Sequence, residues 1–179
     1  MTQPSEQGIV ETARIADKIL RDEPNYIPGL VVQGISARAK GEIEEAMRCF
    51  YLVLAQYPNF APAQKELAGL HLLSPTPDLE KAHELAAKAR EALPDDPETA
   101  KTFGIINYLR DEPEYAALLL NESNQAKPLD ATGLFYLGMA RSKSGDAPGG
   151  TTILMQALEA GLTSTLEDEA KAALEQAAN

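Results

Sequence analysis

Small and apolar residues recur along this chain at helical spacing, and they do so in blocks. Near the C-terminus Leu166, Ala170, Ala173, Leu174 and Ala177 share one stripe of a helix with charged residues opposite, and Ile9, Ala13, Ala16 and Leu20 form a similar stripe near the N-terminus. Between these flanking segments the pattern predicts four helical pairs, at 26–40 with 42–57, 60–73 with 78–93, 98–110 with 112–127, and 131–143 with 149–160. Gly41 turns the chain within the first pair, and Ser74-Pro75-Thr76-Pro77 connects the second. At the start of the last helix, Ser164-Thr165-Leu166-Glu167 fits a capping box.

The blocks repeat at a fixed interval. Proline falls at 24, 58, 94 and 128, spacings of 34, 36 and 34 residues, and each one stops a helix because it cannot continue the backbone ladder. Gly34, Ala68, Gly104 and Gly138 run in step with the same spacings. A third marker lies halfway: Gly34, Ala46 and Pro58 are 12 and 12 apart, as are Gly104, Ala116 and Pro128, and Ala82 precedes Pro94 by 12. One helical hairpin cannot bury its apolar face alone, so repeated hairpins stack and bury a continuous core. The small residues belong where the helices of a pair cross, Gly34 with Ala46 and Gly104 with Ala116, and Phe50, Leu120 and Leu154 then fill the space between pairs.

The repeat resembles the tetratricopeptide family, a 34-residue helix-turn-helix unit. The family's first-helix small residue matches Gly34, Ala68, Gly104 and Gly138; its second-helix small residue matches Ala46, Ala82, Ala116 and Gly150; its closing proline matches Pro58, Pro94 and Pro128. The bulky residue four places after the second small one is Phe50, with Ala86, Leu120 and Leu154 as weaker counterparts. Ala37, His71, Asn107 and Arg141 replace the family's usual tyrosine, Leu30, Gln64, Ala100 and Leu134 its early tryptophan, and Leu162 stands at the fourth proline position. The resemblance implies an all-α, right-handed solenoid. It divides the chain into a partial N-terminal repeat helix at 8–25, repeats at 26–60, 61–96, 97–130 and 131–163, and a C-terminal capping helix at 164–179. Pro24 puts the first segment in register with the second helix of a preceding repeat, so the chain reads as a piece of a longer array.

Composition narrows the partners. With 27 acidic and 16 basic residues the net charge is -11, a poor surface for displacing counterions from nucleic acid or for holding an anionic membrane. No stretch of eighteen apolar residues occurs, so direct membrane insertion is not expected. The single cysteine, Cys49, allows no internal disulfide, and it reads as a small buried hydrophobe in a second helix. The default compartment is cytoplasmic, or periplasmic if a signal peptide has been removed.

Function in such an array lives on the concave surface lined by the first helix of each pair. Counting from the signature small residues, the partner-binding groove is expected to use Val31, Ile35, Arg38, Lys65, Leu72, Lys101, Ile105, Tyr108, Phe135, Met139 and Lys143. Phe135, Tyr108 and Met139 are the residue types most enriched at interfaces. The four basic residues would pair with acids on a bound helix or extended segment. Lining residues such as Leu72 and Ile105 could equally pack between first helices as core. The family's carboxylate clamp does not carry over, because the matching positions hold Ile35, Gly69 and Ile105.

Candidate chemistry is sparse. Gly145-Asp146-Ala147-Pro148-Gly149-Gly150-Thr151-Thr152 has the glycine spacing of a phosphate loop, but Thr151 replaces the lysine and a helix precedes it, so it reads as a turn and a helix start. His71 and His83 lie on different helices without partners at ligand spacing, and Asn121-Glu122-Ser123 is a glycosylation triplet set in mid-helix. No cofactor, metal or catalytic constellation is expected. The reading is a non-catalytic scaffold for a peptide or protein partner within a larger protein or assembly, and the alternative is a segment that self-associates by stacking through an open terminal helix.

Overall fold

The computed structural model describes residues 6–177, and the side chains of residues 6–11 and 13 fall outside that description. The predicted N-terminal stripe therefore includes two residues, Ile9 and Ala13, that lie outside the described side chains; Ala16 is buried and Leu20 half-buried. Among the described residues there are ten helices and no strand, in the order α1 Glu6–Asp22, α2 Ile27–Ala39, α3 Ile43–Gln56, α4 Ala61–Leu73, α5 Leu79–Ala92, α6 Pro97–Leu109, α7 Pro113–Ala126, α8 Ala131–Lys143, α9 Ala147–Ala160 and α10 Ser164–Ala177. None is long and apolar enough to cross a membrane.

Local chemistry sets the helix ends. Proline stands in the first turn of α2, α4, α6, α7 and α9, where its missing N–H costs nothing. Asp96, Asp130 and Asp146 cap α6, α8 and α9 by accepting from the backbone N–H of Thr99, Gly133 and Gly149 at 2.9, 2.8 and 3.0 Å. Seven residues beyond Gly34, Gly104 and Gly138, the chain passes through the left-handed region at Gly41, Asp111 and Gly145, with φ of 77°, 63° and 96°. The next residue then donates its N–H back five residues: Glu42 to Ala37, Glu112 to Asn107 and Asp146 to Arg141, each at 2.9 Å. These are Schellman closures, and they make the turn between paired helices the same in each of these three hairpins. At α10 the start differs from expectation. Ser164 is the first helical residue rather than the cap, and the Thr163 carbonyl accepts from the Glu167 N–H.

The chain divides into two compact units, Met1–Ala89 and Arg90–Asn179. In the first, α1 packs on α2, α2 on α3 and α3 on α4. Its core holds Leu30, Ala46, Cys49, Phe50, Val53, Leu67 and Leu70. In the second, α6 pairs with α7 and α8 with α9, while α8 touches both α6 and α10. Its core holds Phe103, Ile106, Leu120, Phe135, Leu137 and Leu154, with Ala170 of α10 closing one end and Leu166, Ala173 and Leu174 packed beside it.

Helix pairs meet over a missing side chain. A Cβ on Gly34 would lie 2.8 Å from the Phe50 ring, one on Gly104 would lie 2.7 Å from Leu120 Cγ, and one on Gly138 would lie 2.8 Å from Leu154 Cγ. The small residue is thus faced by the bulky residue sixteen positions on, and at Gly104 and Gly138 also by the backbone of the small residue twelve positions on, the Ala116 and Gly150 carbonyl oxygens lying 3.3 and 3.0 Å from the added Cβ. Ala68 and Ala86 hold the corresponding positions in the remaining pair, and both are fully buried.

Candidate functional site

The first helices carry the expected groove residues, and the structure sorts them differently from the sequence. In the first unit Val31 and Leu72 are half-buried and Ile35 is 40% exposed. Arg38 of α2 reaches across to α4, placing Nη1 3.0 Å from Glu66 Oε2, an ion pair not aligned as a hydrogen bond. Lys65 is half-buried and has an interaction of its own within the chain.

In the second unit α6, α8 and α10 present a face whose centre is aromatic. Tyr108 of α6 and Tyr136 of α8 meet edge to face, ring centroids 5.4 Å apart at 62°, and Tyr136 in turn packs on Phe135 at 5.1 Å. Both tyrosines are half-buried, as are Ile105 and Met139 on the same two helices. The Lys143 ammonium sits 4.9 Å from the Tyr108 ring centroid and 3.3 Å from Asp111 Oδ1. Burial raises the Tyr108 and Tyr136 phenols above their ordinary pKa, Glu169 of α10 pushes both in the same direction, and Lys143 opposes it at Tyr108.

Two sequence expectations need correction. Phe135 is 1% exposed and lies in the core with Leu154 and Ala170, so it cannot touch a partner. It is Tyr136, one residue on, that faces outward. A single step turns a helix by about 100°, enough to exchange core for surface. Tyr136, Met139 and Lys143 fall at i, i+3 and i+7, the spacing of one helical stripe, and that was the available signal. The basic residues are also committed: Arg38 to Glu66, Lys101 to Glu98 and Asp130 at 2.9 and 3.2 Å, Lys143 to Asp111 and Tyr108. Lys101 lines a small pocket of about 180 Å³ together with Glu98, Lys127 and Asp130, and none of the aromatic residues borders it.

The pair Arg38–Glu66 and the pair Tyr108–Tyr136 occupy the same register, four residues after and two before successive signature small residues. One unit closes this position with charge and the other with rings.

No protein-family model matches the chain, and neither does any curated protein. Solved structures do. TTC0263, a thermophilic TPR protein in Thermus thermophilus, superposes with a TM-score of 0.63 at 16% identity, over 90% of this chain and 88% of that one. The chain has the tetratricopeptide-repeat fold. YrrB, a TPR protein with an unusual peptide-binding site, gives a TM-score of 0.68 at 16% identity over 93% and 85% of the two chains, and MamA 41-end from Desulfovibrio magneticus RS-1 gives 0.68 at 18% over 85% of each.

Within this all-α tetratricopeptide solenoid fold, the glycine-rich loop and His71 take part in holding the helices. Asp146 caps α9, so the glycine-rich loop is a turn and helix start. His71 is buried and its Nε2 lies 2.7 Å from Tyr51 Oη, joining α4 to α3, and desolvation lowers its pKa. Asn121-Glu122-Ser123 lies inside α7. No group of three or more metal-ligating side chains occurs among the described residues.

Cys49 is fully buried, and burial first, then the Glu45 carboxylate, pushes its thiol up to about 11. Because the folded pKa lies above the unfolded one, the stability tied to the neutral thiol is complete below about pH 8.5 and is lost as pH rises through about 11. At pH 8 the folded chain is expected to react with a disulfide reagent at least about 100-fold more slowly than the urea-unfolded chain. Equal rates in the two states would show that Cys49 is reachable and ionised in the fold.

Proposed function

We propose that the chain is a non-catalytic scaffold that binds a polypeptide segment on its first-helix face, with the α6–α8–α10 surface of the second unit as the principal site. The observation that carries this is the Tyr108–Tyr136 pair: two half-buried aromatics on adjacent first helices, with Met139 and Ile105 beside them. Aromatic and methionine side chains give large contact area at low entropic cost, which is why they concentrate at interfaces. Within the first unit, Val31 and Ile35 of α2 and Leu72 of α4 give that unit apolar surface of its own. The peptide-binding site of YrrB, on a chain of like fold, supports the reading. The repeat boundaries at 26–60, 61–96, 97–130 and 131–163, between an N-terminal helix at 8–25 and a terminal helix at 164–179, belong to the same proposal.

A peptide-display selection on the purified chain tests it. Sequences enriched on the parent should be lost on a Tyr108→Ala/Tyr136→Ala variant whose far-ultraviolet circular dichroism is unchanged. Retention of the same sequences by that variant would remove the aromatic face from consideration.

A second reading rests on a different observation. On α1, Ile15 and Ile19 are 51% and 37% exposed at i, i+4 spacing, an apolar edge on which another helix could stack. Light scattering that gives the monomer mass across a hundredfold range of concentration would exclude self-association through it.

A further inference from the structure

The charge around the aromatic face is opposite to what the basic residues in the sequence suggest. Lys143 is the cation placed on it, and Asp111 already holds that ammonium at 3.3 Å. Glu169 is exposed and makes no ion pair among the described residues; it stands on α10 next to Ala170, which is buried in the cluster that Tyr136 packs against, and its charge acts on both Tyr108 and Tyr136. The local balance is thus two carboxylates to one ammonium, on a chain whose net charge is -11. The Lys143 ammonium over the Tyr108 ring, at 4.9 Å, shows which chemistry this surface accepts: a cation against a ring, with a carboxylate beside it.

Resting on the reading that this face binds a polypeptide, we propose that its occupant is a cationic segment, presenting an arginine or lysine side chain to Tyr108 and Tyr136 with Glu169 as the counter-charge. The rings supply their quadrupole and exclude water, and Glu169 supplies a carboxylate with no internal claim on it. Lys143 then acts as an internal competitor that holds the ring face until a partner cation arrives. An acidic segment would instead meet Glu169 and Asp111 and would have to draw Lys143 away from Asp111.

The two charge classes give opposite signs for one substitution. Two labelled twelve-residue peptides with the same leucine pattern, one with arginine and one with glutamate at every polar position, serve as probes in fluorescence anisotropy at 50 and 300 mM salt. The arginine peptide is expected to bind the parent more tightly than the glutamate peptide, and more weakly at the higher salt. Glu169→Gln should weaken it about two- to five-fold, Glu114→Gln on the exposed start of α7 should change it less than that, and Lys143→Ala should leave it unchanged or strengthen it by a similar factor.

A glutamate peptide that binds as well or better, weakening by Lys143→Ala, equal losses at Glu169 and Glu114, or no arginine-peptide binding at millimolar concentration would overturn the cation assignment. The reading beneath it fails separately, if Tyr108→Ala leaves the binding of whichever peptide binds unchanged.

Discussion

Phe50→Ala is expected to cost about 3–5 kcal/mol in urea unfolding, and Gly34→Ala about 1–3 kcal/mol, while the double variant costs clearly less than the two together. Phe50 is fully buried, and its truncation leaves a void between α2 and α3 that rigid helices cannot close. A methyl on Gly34 alone would sit 2.8 Å from the ring, nearer than real Cβ contacts allow. With the ring gone, that methyl occupies part of the vacated space, so the two changes should couple by about 1 kcal/mol or more. The chain already contains an intermediate arrangement, Gly104 against Leu120. Phe50→Leu should therefore be the mildest of the series, at about 1 kcal/mol. Strict additivity in the double-variant cycle would show that residues 34 and 50 do not share one packing site.

Gly150→Ala should be as damaging for its size as any change in the chain, at the upper end of about 1–3 kcal/mol or beyond. A Cβ there would overlap Ser142 Oγ and stand 2.6 Å from the Gly138 carbonyl oxygen and 2.9 Å from the Ser142 nitrogen. Two of these three obstacles are backbone, so α8 and α9 must move apart for the methyl to fit. Adding Ser142→Ala removes only the hydroxyl and is expected to recover little. This contrasts with position 34, where the obstacle is a side chain and the partner change relieves it. An unfolding midpoint for Gly150→Ala within error of the parent would mean that the two helices are not in the close contact described.

The two substitution series separate what periodicity determines from what it does not. Hairpin geometry was legible because its determinants are local. Gly34 and Phe50 are sixteen residues apart, as are Gly104 and Leu120, and the closing turn lies seven residues after each signature glycine. Spacing markers alone locate these crossings and the proline stops, and hence an all-helical repeat fold. Even there one detail was missed: the bulky residue sixteen places on packs against the glycine of its own pair rather than between pairs.

The face between neighbouring first helices was not legible, and the reason is distance along the chain. Arg38 meets Glu66 and Tyr108 meets Tyr136 across 28 residues, and Lys143 meets Asp111 across 32. Nothing local says whether a lysine on such a face is free for a partner or already neutralised. By itself the sequence determined the period, the helices and the positions where two of them cross. Only the tertiary structure decided which side chains remain on the surface and with what charge, because burial and ion pairing there depend on how one hairpin is rotated against the next.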